Sequence, residues 1–445
     1  MIIKNGLVAL PGEKALHPCD IEIVGGKILT LGQDLPGSNI LDAHGLQIFP
    51  GAIDPHVHFN DPGFTEREDF IHGSQAAAAG GVTTIIDMPC TSIPPVTTLE
   101  NFKIKLEAIA LKSVVDFGFF GGVSGKCFES DVEKNMQQLA PEVLGFKTYF
   151  VSSMETFPRV TLEQFIRVLQ LAAPLDRPVL LHAEDYETVT QCEAMERKKG
   201  NRWENYVASR PEEAEILAVR KAVDLAERWG GNLHIVHVST AEAAHYLSGK
   251  TFATGETCPH YLEFSRDDFA RLGSALKTAP CVKGPSEKEK LWACLKESML
   301  DFIASDHAPA PSTQKNTGSV WTDYAGIPGT QTLFLYAYSQ GFCRRHMSLD
   351  TFLKITSENA ARRYGLFDRK GSIEPGKDAD LILIDPHQTT EIHGQSFFSK
   401  GKITPFEGQI FQGKILKTIL RGQTIYDAEK GITASPGTGH ILRKG

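Results

Sequence analysis

The sequence predicts an α/β chain, a TIM-type (β/α)8 barrel carrying a small β-sandwich domain formed from both chain termini. Three observations predict it. Buried-strand runs alternate with helical segments through the middle of the chain, and short β-type runs occupy both ends. The length, 445 residues, accommodates one large barrel and a smaller second unit.

The first fifty residues alternate β-type runs with turns: Met1–Val8, Cys19–Val24, Lys27–Leu31 and Ile40–Ala43, with Gly25-Gly26 reading as a hairpin turn. From about Ala52 the pattern changes. The runs Thr83–Met88, Val114–Phe120, Gly145–Phe150, Pro178–His182, Asn232–Val238 and Asp301–Ser305 alternate with helical stretches, of which Arg210–Trp229 and Ser286–Met299 are well marked. Such alternation predicts a parallel sheet, and this many units favours a closed barrel. A β-type signature returns after about Gly371, in Ala379–Ile384 and Ile415–Ile425. The expected boundaries are a composite sandwich from 1–50 plus 371–445 and a barrel over 51–370. The Gly/Ser/Thr-rich tail from about Ala434 is expected to be loosely ordered.

The formal net charge of -8 argues against nucleic acid or an anionic membrane as the main partner. No apolar run approaches the roughly 20 residues of a membrane span, and the N-terminal segment lacks a signal-peptide pattern. The eight cysteines are scattered without a Cys-x-x-Cys pair, which predicts neither a disulfide framework nor a zinc knuckle. The expectation is a reduced, cytoplasmic enzyme.

The chemistry begins at Asp54-Pro55-His56-Val57-His58. Residues two apart on a strand share a face, so His56 and His58 can address one metal ion together. His182 ends one strand-like run, His237 lies in another, and Asp306 follows the apolar Phe302-Ile303-Ala304. In a βα barrel the C-terminal strand ends converge on one site. Any one of these residues alone is more simply a hydrogen-bonded core or loop group, but their joint placement argues for a shared centre. Lys147 stands inside the apolar run Val143–Phe150, where an unpaired ammonium is costly. Either it reaches water at the strand end, or carbon dioxide carbamylates it into an anionic ligand able to bridge two metals.

His56-x-His58, Lys147, His182, His237 and Asp306, in this order, resemble the ligand set of the amidohydrolase superfamily's cyclic-amide branch, which includes hydantoinases, dihydroorotases and allantoinases. The resemblance covers nearly the whole chain. It implies that His56 and His58 hold the more buried metal, that Lys147 as carboxylysine bridges, and that His182 and His237 hold the second. It also implies that Asp306 binds the first metal and acts as general base and acid toward a metal-bridging hydroxide. Two divalent cations are expected, zinc first, with manganese, cobalt or iron as alternatives. A homodimer or homotetramer is implied in the same way.

The ring to be opened is a matter of pocket residues. The dihydroorotase pattern answers the substrate carboxylate with Arg, Asn and His at positions that here read Asn60, Cys90 and Ala310. A buried carboxylate would lose its charge-assisted bonds without them. Allantoinases are more similar at His58–Gly63, Tyr206–Pro211, Glu256–Tyr261 and Gly326–Gln331. Departures occur at Thr65–Phe70, at Cys90-Thr91 and at Cys281. Hydantoinases usually place Tyr where this chain has Ser152. Substrate contacts are expected at Asn60, Cys90, Ser152, Ala279, Ile327 and Gly329. The leading expectation is opening of the cyclic ureide allantoin to allantoate. A dihydroorotase, a hydantoinase-like dihydropyrimidinase and a non-catalytic scaffold remain as alternatives. His260 and His307 are expected to support the site rather than react. Gly80-Gly81 reads as a helix stop.

Overall fold

In the computed structural model, which describes residues 1–444, eight parallel strands form the central barrel: β1 (Ala52–Val57), β2 (Val82–Asp87), β3 (Asp116–Phe119), β4 (Phe146–Tyr149), β5 (Val179–His182), β6 (Leu233–Ile235), β7 (Ala253–Thr257) and β8 (Phe302–Ile303). Each is buried along almost its whole length, as expected when a parallel sheet is covered on both faces. Hydrogen bonding runs β1-β2-β3 and β4-β5-β6-β7-β8, and the short extension Gly121-Gly122 joins the two halves by pairing with β4. The ring closes beyond β8, where the amide of His58 donates to the carbonyl of His307 at 2.8 Å and the amide of His307 donates to that of His56 at 3.2 Å. Closure therefore lies beside the first pair of site residues.

Helices return the chain between strands, and side chains cap several of them. Asp69 accepts from the amide of His72 at the start of helix Phe70–Ala79, and Thr161 and Gln164 form a capping box on Leu162–Ala172. The helix stop expected at Gly80-Gly81 is present. A Cβ on Gly80 would meet the carbonyl of Thr330 at 2.7 Å, and Gly81 adopts φ +80°. The long helices run over Glu212–Trp229, which starts two residues later than expected, and Pro285–Lys296, which starts one residue earlier and ends three earlier.

Two apolar cores result. One packs the helices against the outside of the barrel, with Phe70, Phe102, Val219 and Trp292 among its members. The other fills the barrel interior with Ile53, Ile86, Met88, Phe120, Leu144, Leu180, Val236 and Phe302.

Strands from both termini make the sandwich. Eight of its nine strands follow one hydrogen-bonded path in which Leu381–Glu391 pairs with Gln47–Pro50, joining the C-terminal half to the N-terminal half, and Ile40–Asp42 pairs off that path with Ile2–Val8. A separate core of Ile3, Val8, Ile21, Ile48, Leu381 and Ile419 holds it together. The run expected over Ile415–Ile425 is two strands, Ile410–Leu420 and Gln423–Asp427. They turn at Arg421-Gly422, both of positive φ. The tail also departs from expectation. Its backbone pairs with β3 through Phe117, and Leu442 is buried in the barrel-interior core, so residues 434–444 cover the end of the barrel opposite the site. Its small polar residues allow close approach: a Cβ on Gly439 would strike the carbonyl of Val115 at 1.9 Å. No helix among the described residues is long and apolar enough to cross a membrane.

Candidate metal centre

His56 on β1 and His58 just past its end sit at the mouth of the barrel. Their Nε2 atoms lie 3.2 and 3.3 Å from Oδ1 of Asp306, which follows β8. One ligand atom from each of the three residues falls within 4.8 Å of the others. Asp306 takes φ +47° and His237 φ +43°. A non-glycine residue held in this region is strained, a cost that persists where the surrounding structure fixes a functional side chain.

The second pair comes from β5 and from the segment after β6. Nδ1 of His182 lies 3.0 Å from Nε2 of His237, and the other ring nitrogen of His182 is 2.8 Å from Oε2 of Glu184. Glu184 is itself ion-paired with Arg210. Burial pushes the imidazolium forms of His56, His182 and His237 down, favouring the neutral rings that can ligate. Burial alone would raise the Asp306 carboxyl, but positive charge placed among the facing rings of His56, His58 and His237 holds it well below the usual carboxylate range.

Lys147, on β4, is fully buried between the two pairs in the barrel, and its Nζ has no hydrogen-bond partner. Burial pushes its ammonium down to about 8. Of the two options for this residue, reaching water at the strand end is excluded by its zero exposure. The buried amine of Lys147 without a partner, the bare Nδ1 of His237, and an oxygen–imidazole donor set together fit divalent metal ions, since imidazole and carboxylate are ligands that zinc and its first-row neighbours accept.

A cavity of about 400 Å³ opens over these groups. Of the expected substrate contacts, Cys90, Ser152 and Ala279 line it. Asn60, Ile327 and Gly329 are buried away from its wall. The Asn60 amide has no hydrogen-bond partner, while the Gly329 amide donates to Nδ1 of His307 at 3.1 Å. His307 also meets Glu68 at 3.0 Å and supports the loop after β8, whereas both ring nitrogens of the buried His260 lack partners. Ser152 is committed elsewhere, donating to the carbonyl of Phe157 at 2.7 Å.

Several residues that carry the site were not singled out from the sequence. Tyr149 stacks on His182 with centroids 5.2 Å apart and places its hydroxyl 3.0 Å from Sγ of Cys90. Glu184 and Glu256 grip site histidines, and Arg210 pairs with Glu184. Glu184 had a local signal, two residues past His182. Glu256 did not, because its short strand β7 contains Thr and Gly and does not read as a buried apolar run.

The amidohydrolase family profile matches residues 47–425. The chain belongs to the amidohydrolase family. An allantoinase of Solibacter usitatus is 36% identical over 99% of this chain and 96% of its own length. One from Rubrobacter xylanophilus is also 36% identical, over 98% of this chain and 96% of its own. Among solved structures, the L-hydantoinase (dihydropyrimidinase) from Arthrobacter aurescens superposes with a TM-score of 0.94 at 28% identity, covering 99% of both chains. The dihydropyrimidinase from Brevibacillus agri NCHU1002 superposes with a TM-score of 0.92 at 27% identity, over 100% of this chain and 98% of its own. The barrel and terminal sandwich are thus the family's architecture.

Proposed function

We propose that this amidohydrolase opens a cyclic ureide ring, with allantoin as substrate and allantoate as product. Relatives named allantoinase match it along its full length. The observation that carries the choice of ring is the state of the cavity's cations. Arg210 is paired with Glu184, Arg197 with Glu193, and Lys277 donates to the carbonyls of Val320 at 2.6 Å and Asp323 at 2.5 Å. Among the described residues lining the cavity, no Lys or Arg is left uncommitted to meet a substrate carboxylate. A neutral ring suits such a wall, and dihydroorotate would bring an anion without a partner.

In this reading His56, His58 and Asp306 would hold one metal ion, His182 and His237 would hold a second, and Lys147, as carboxylysine, would supply an anionic ligand to both. The unpartnered amine supports that modification, in which nitrogen bonds to the carbon of carbon dioxide and releases a proton. Two zinc ions so held would acidify a water and polarise the scissile carbonyl. Asp306 accepts the proton of the attacking water and returns it to the ring nitrogen as the C–N bond breaks. Hydroxide thus ends on carbon and hydrogen on nitrogen. The hydroxyl of Tyr149 and the thiol of Cys90 form part of the polar wall against which the ring rests. We further propose a homodimer or homotetramer in a reducing cytoplasm, where all eight cysteines remain free thiols. The barrel is taken as 51–370 and the composite sandwich as 1–50 plus 371–445.

The test is a parallel assay of allantoin, dihydroorotate, hydantoin and dihydrouracil, with metal quantified in the same sample. Turnover of allantoin well above the others is expected. Hydrolysis of dihydroorotate without allantoin turnover would overturn the substrate.

A further inference from the structure

Glu256 sits at the centre of the barrel beneath the site, with no exposed surface. Its two oxygens meet two different imidazoles. Oε1 lies 2.5 Å from Nδ1 of His56, and Oε2 lies 3.2 Å from Nε2 of His234. An ionised carboxylate only accepts hydrogen bonds, so both nitrogens must carry hydrogen. His234 is stacked on Phe302 with ring centroids 5.1 Å apart and has no exposed surface, an environment that favours the neutral ring with a single proton. Its remaining nitrogen, Nδ1, is 2.7 Å from Oγ1 of Thr254 and therefore accepts from that hydroxyl.

The proton positions then follow around the chain of contacts. Thr254 donates to His234, His234 donates to Glu256, and His56 donates to Glu256. His56 is left with its lone pair on Nε2, the nitrogen that faces Oδ1 of Asp306 at 3.2 Å. A lone pair opposed to a carboxylate oxygen at that distance is repulsive unless a cation satisfies both.

We infer that Glu256 is a positioning residue that locks His56 in the tautomer presenting Nε2 to the metal centre, with His234 and Thr254 setting that choice from behind. The inference rests on the reading of His56 as a metal ligand. Carboxylates that orient metal-binding histidines in this way typically change affinity or activity by about 10–100-fold when removed.

The proton chain makes a non-additive prediction. The amide introduced by Glu256→Gln can keep its oxygen toward His56 if its NH2 group faces His234. His234 must then move its proton to Nδ1, where the Thr254 hydroxyl can turn round and accept it. Thr254→Val alone only removes a donor, and leaves Glu256 holding both rings as before. With both changes, a proton on Nδ1 of His234 would face a methyl group. His234 then keeps its proton on Nε2, the amide turns its oxygen that way, and its NH2 group drives His56 into the wrong tautomer.

The experiment reconstitutes the full chain with zinc and measures zinc per chain, zinc affinity by chelator competition, and the thermal midpoint. Wild type is expected to hold two zinc ions. Each single variant, Glu256→Gln or Thr254→Val, should stay within a few-fold of wild-type affinity. The double variant should lose roughly 10–100-fold on one of the two ions. Glu256→Leu should show the same loss, and if it does not fold, the near-isosteric pair still decides. A double variant that binds zinc as tightly as the singles overturns the tautomer lock. A wild-type chain that binds no divalent metal overturns the ligand reading instead.

Discussion

Glu184 holds the far nitrogen of His182 at 2.8 Å, and so turns Nδ1 of His182 toward the neighbouring His237. Only one oxygen of that carboxylate is used. Arg210 pairs with the same atom, while the second oxygen has no partner. The side chain is therefore fixed from one direction by two groups that the fold brings from different segments.

Removing this grip should loosen one metal and spare the other. Glu184→Ala is expected to weaken zinc at His182 and His237 by about 10–100-fold. The ion held by His56, His58 and Asp306 should remain. Chelator competition that shows both ions unaffected would refute the role of Glu184.

Lys147→Ala removes the buried, unpartnered amine of β4. Activity should fall by more than ~100-fold, and bridged metal should be lost with it. Small carboxylic acids should restore part of the activity by filling the place of the carbamate. Full activity without them would eliminate a bridging role.

The tail is a structural element, so Leu442→Ala should destabilise the fold. The side chain is 2% exposed within the barrel-interior core. Creating a cavity there costs about 2–5 kcal/mol. Denaturant titration at fixed pH measures it, and a change below about 0.5 kcal/mol would mean that the tail is dispensable.

Asp301 gives a pH signature that does not involve the candidate metal ligands. Burial raises its carboxyl from the ordinary 3.8 to about 6, against the opposing effects of the Gly255 amide and Arg363. Well below the lower value it is protonated in both states, and well above the higher one it is ionised in both. Between them the folded chain binds more protons, so this group's contribution to stability falls as pH rises through the window, by up to about 3 kcal/mol. Asp301→Asn should gain stability relative to wild type between pH 4 and pH 6.5. Parallel stability profiles for the two proteins would exclude the shift.

Local signals carried much of this fold. Apolar runs of β type marked β2, β4 and β5 because parallel barrel strands are buried on both faces. β7 escaped because Gly255 and the two Thr residues make it look like a turn, although the barrel buries all of it but Thr254. Glu256 was missed with it. The hairpin at Arg421-Gly422 was read through as one strand because no Asn-Gly or Asp-Gly pair marks it.

By itself the sequence determined the residue types at the strand ends, and with them the candidate ligands His56, His58, Lys147, His182, His237 and Asp306. Strand direction alone aims such residues at one mouth, so no long-range pairing had to be known. Only the tertiary structure decided which nitrogen each histidine presents, that Lys147 has no partner, and that Arg197, Arg210 and Lys277 are already committed. Those facts depend on contacts such as His56 to Glu256, 200 residues apart in the chain, which exist only once the barrel closes.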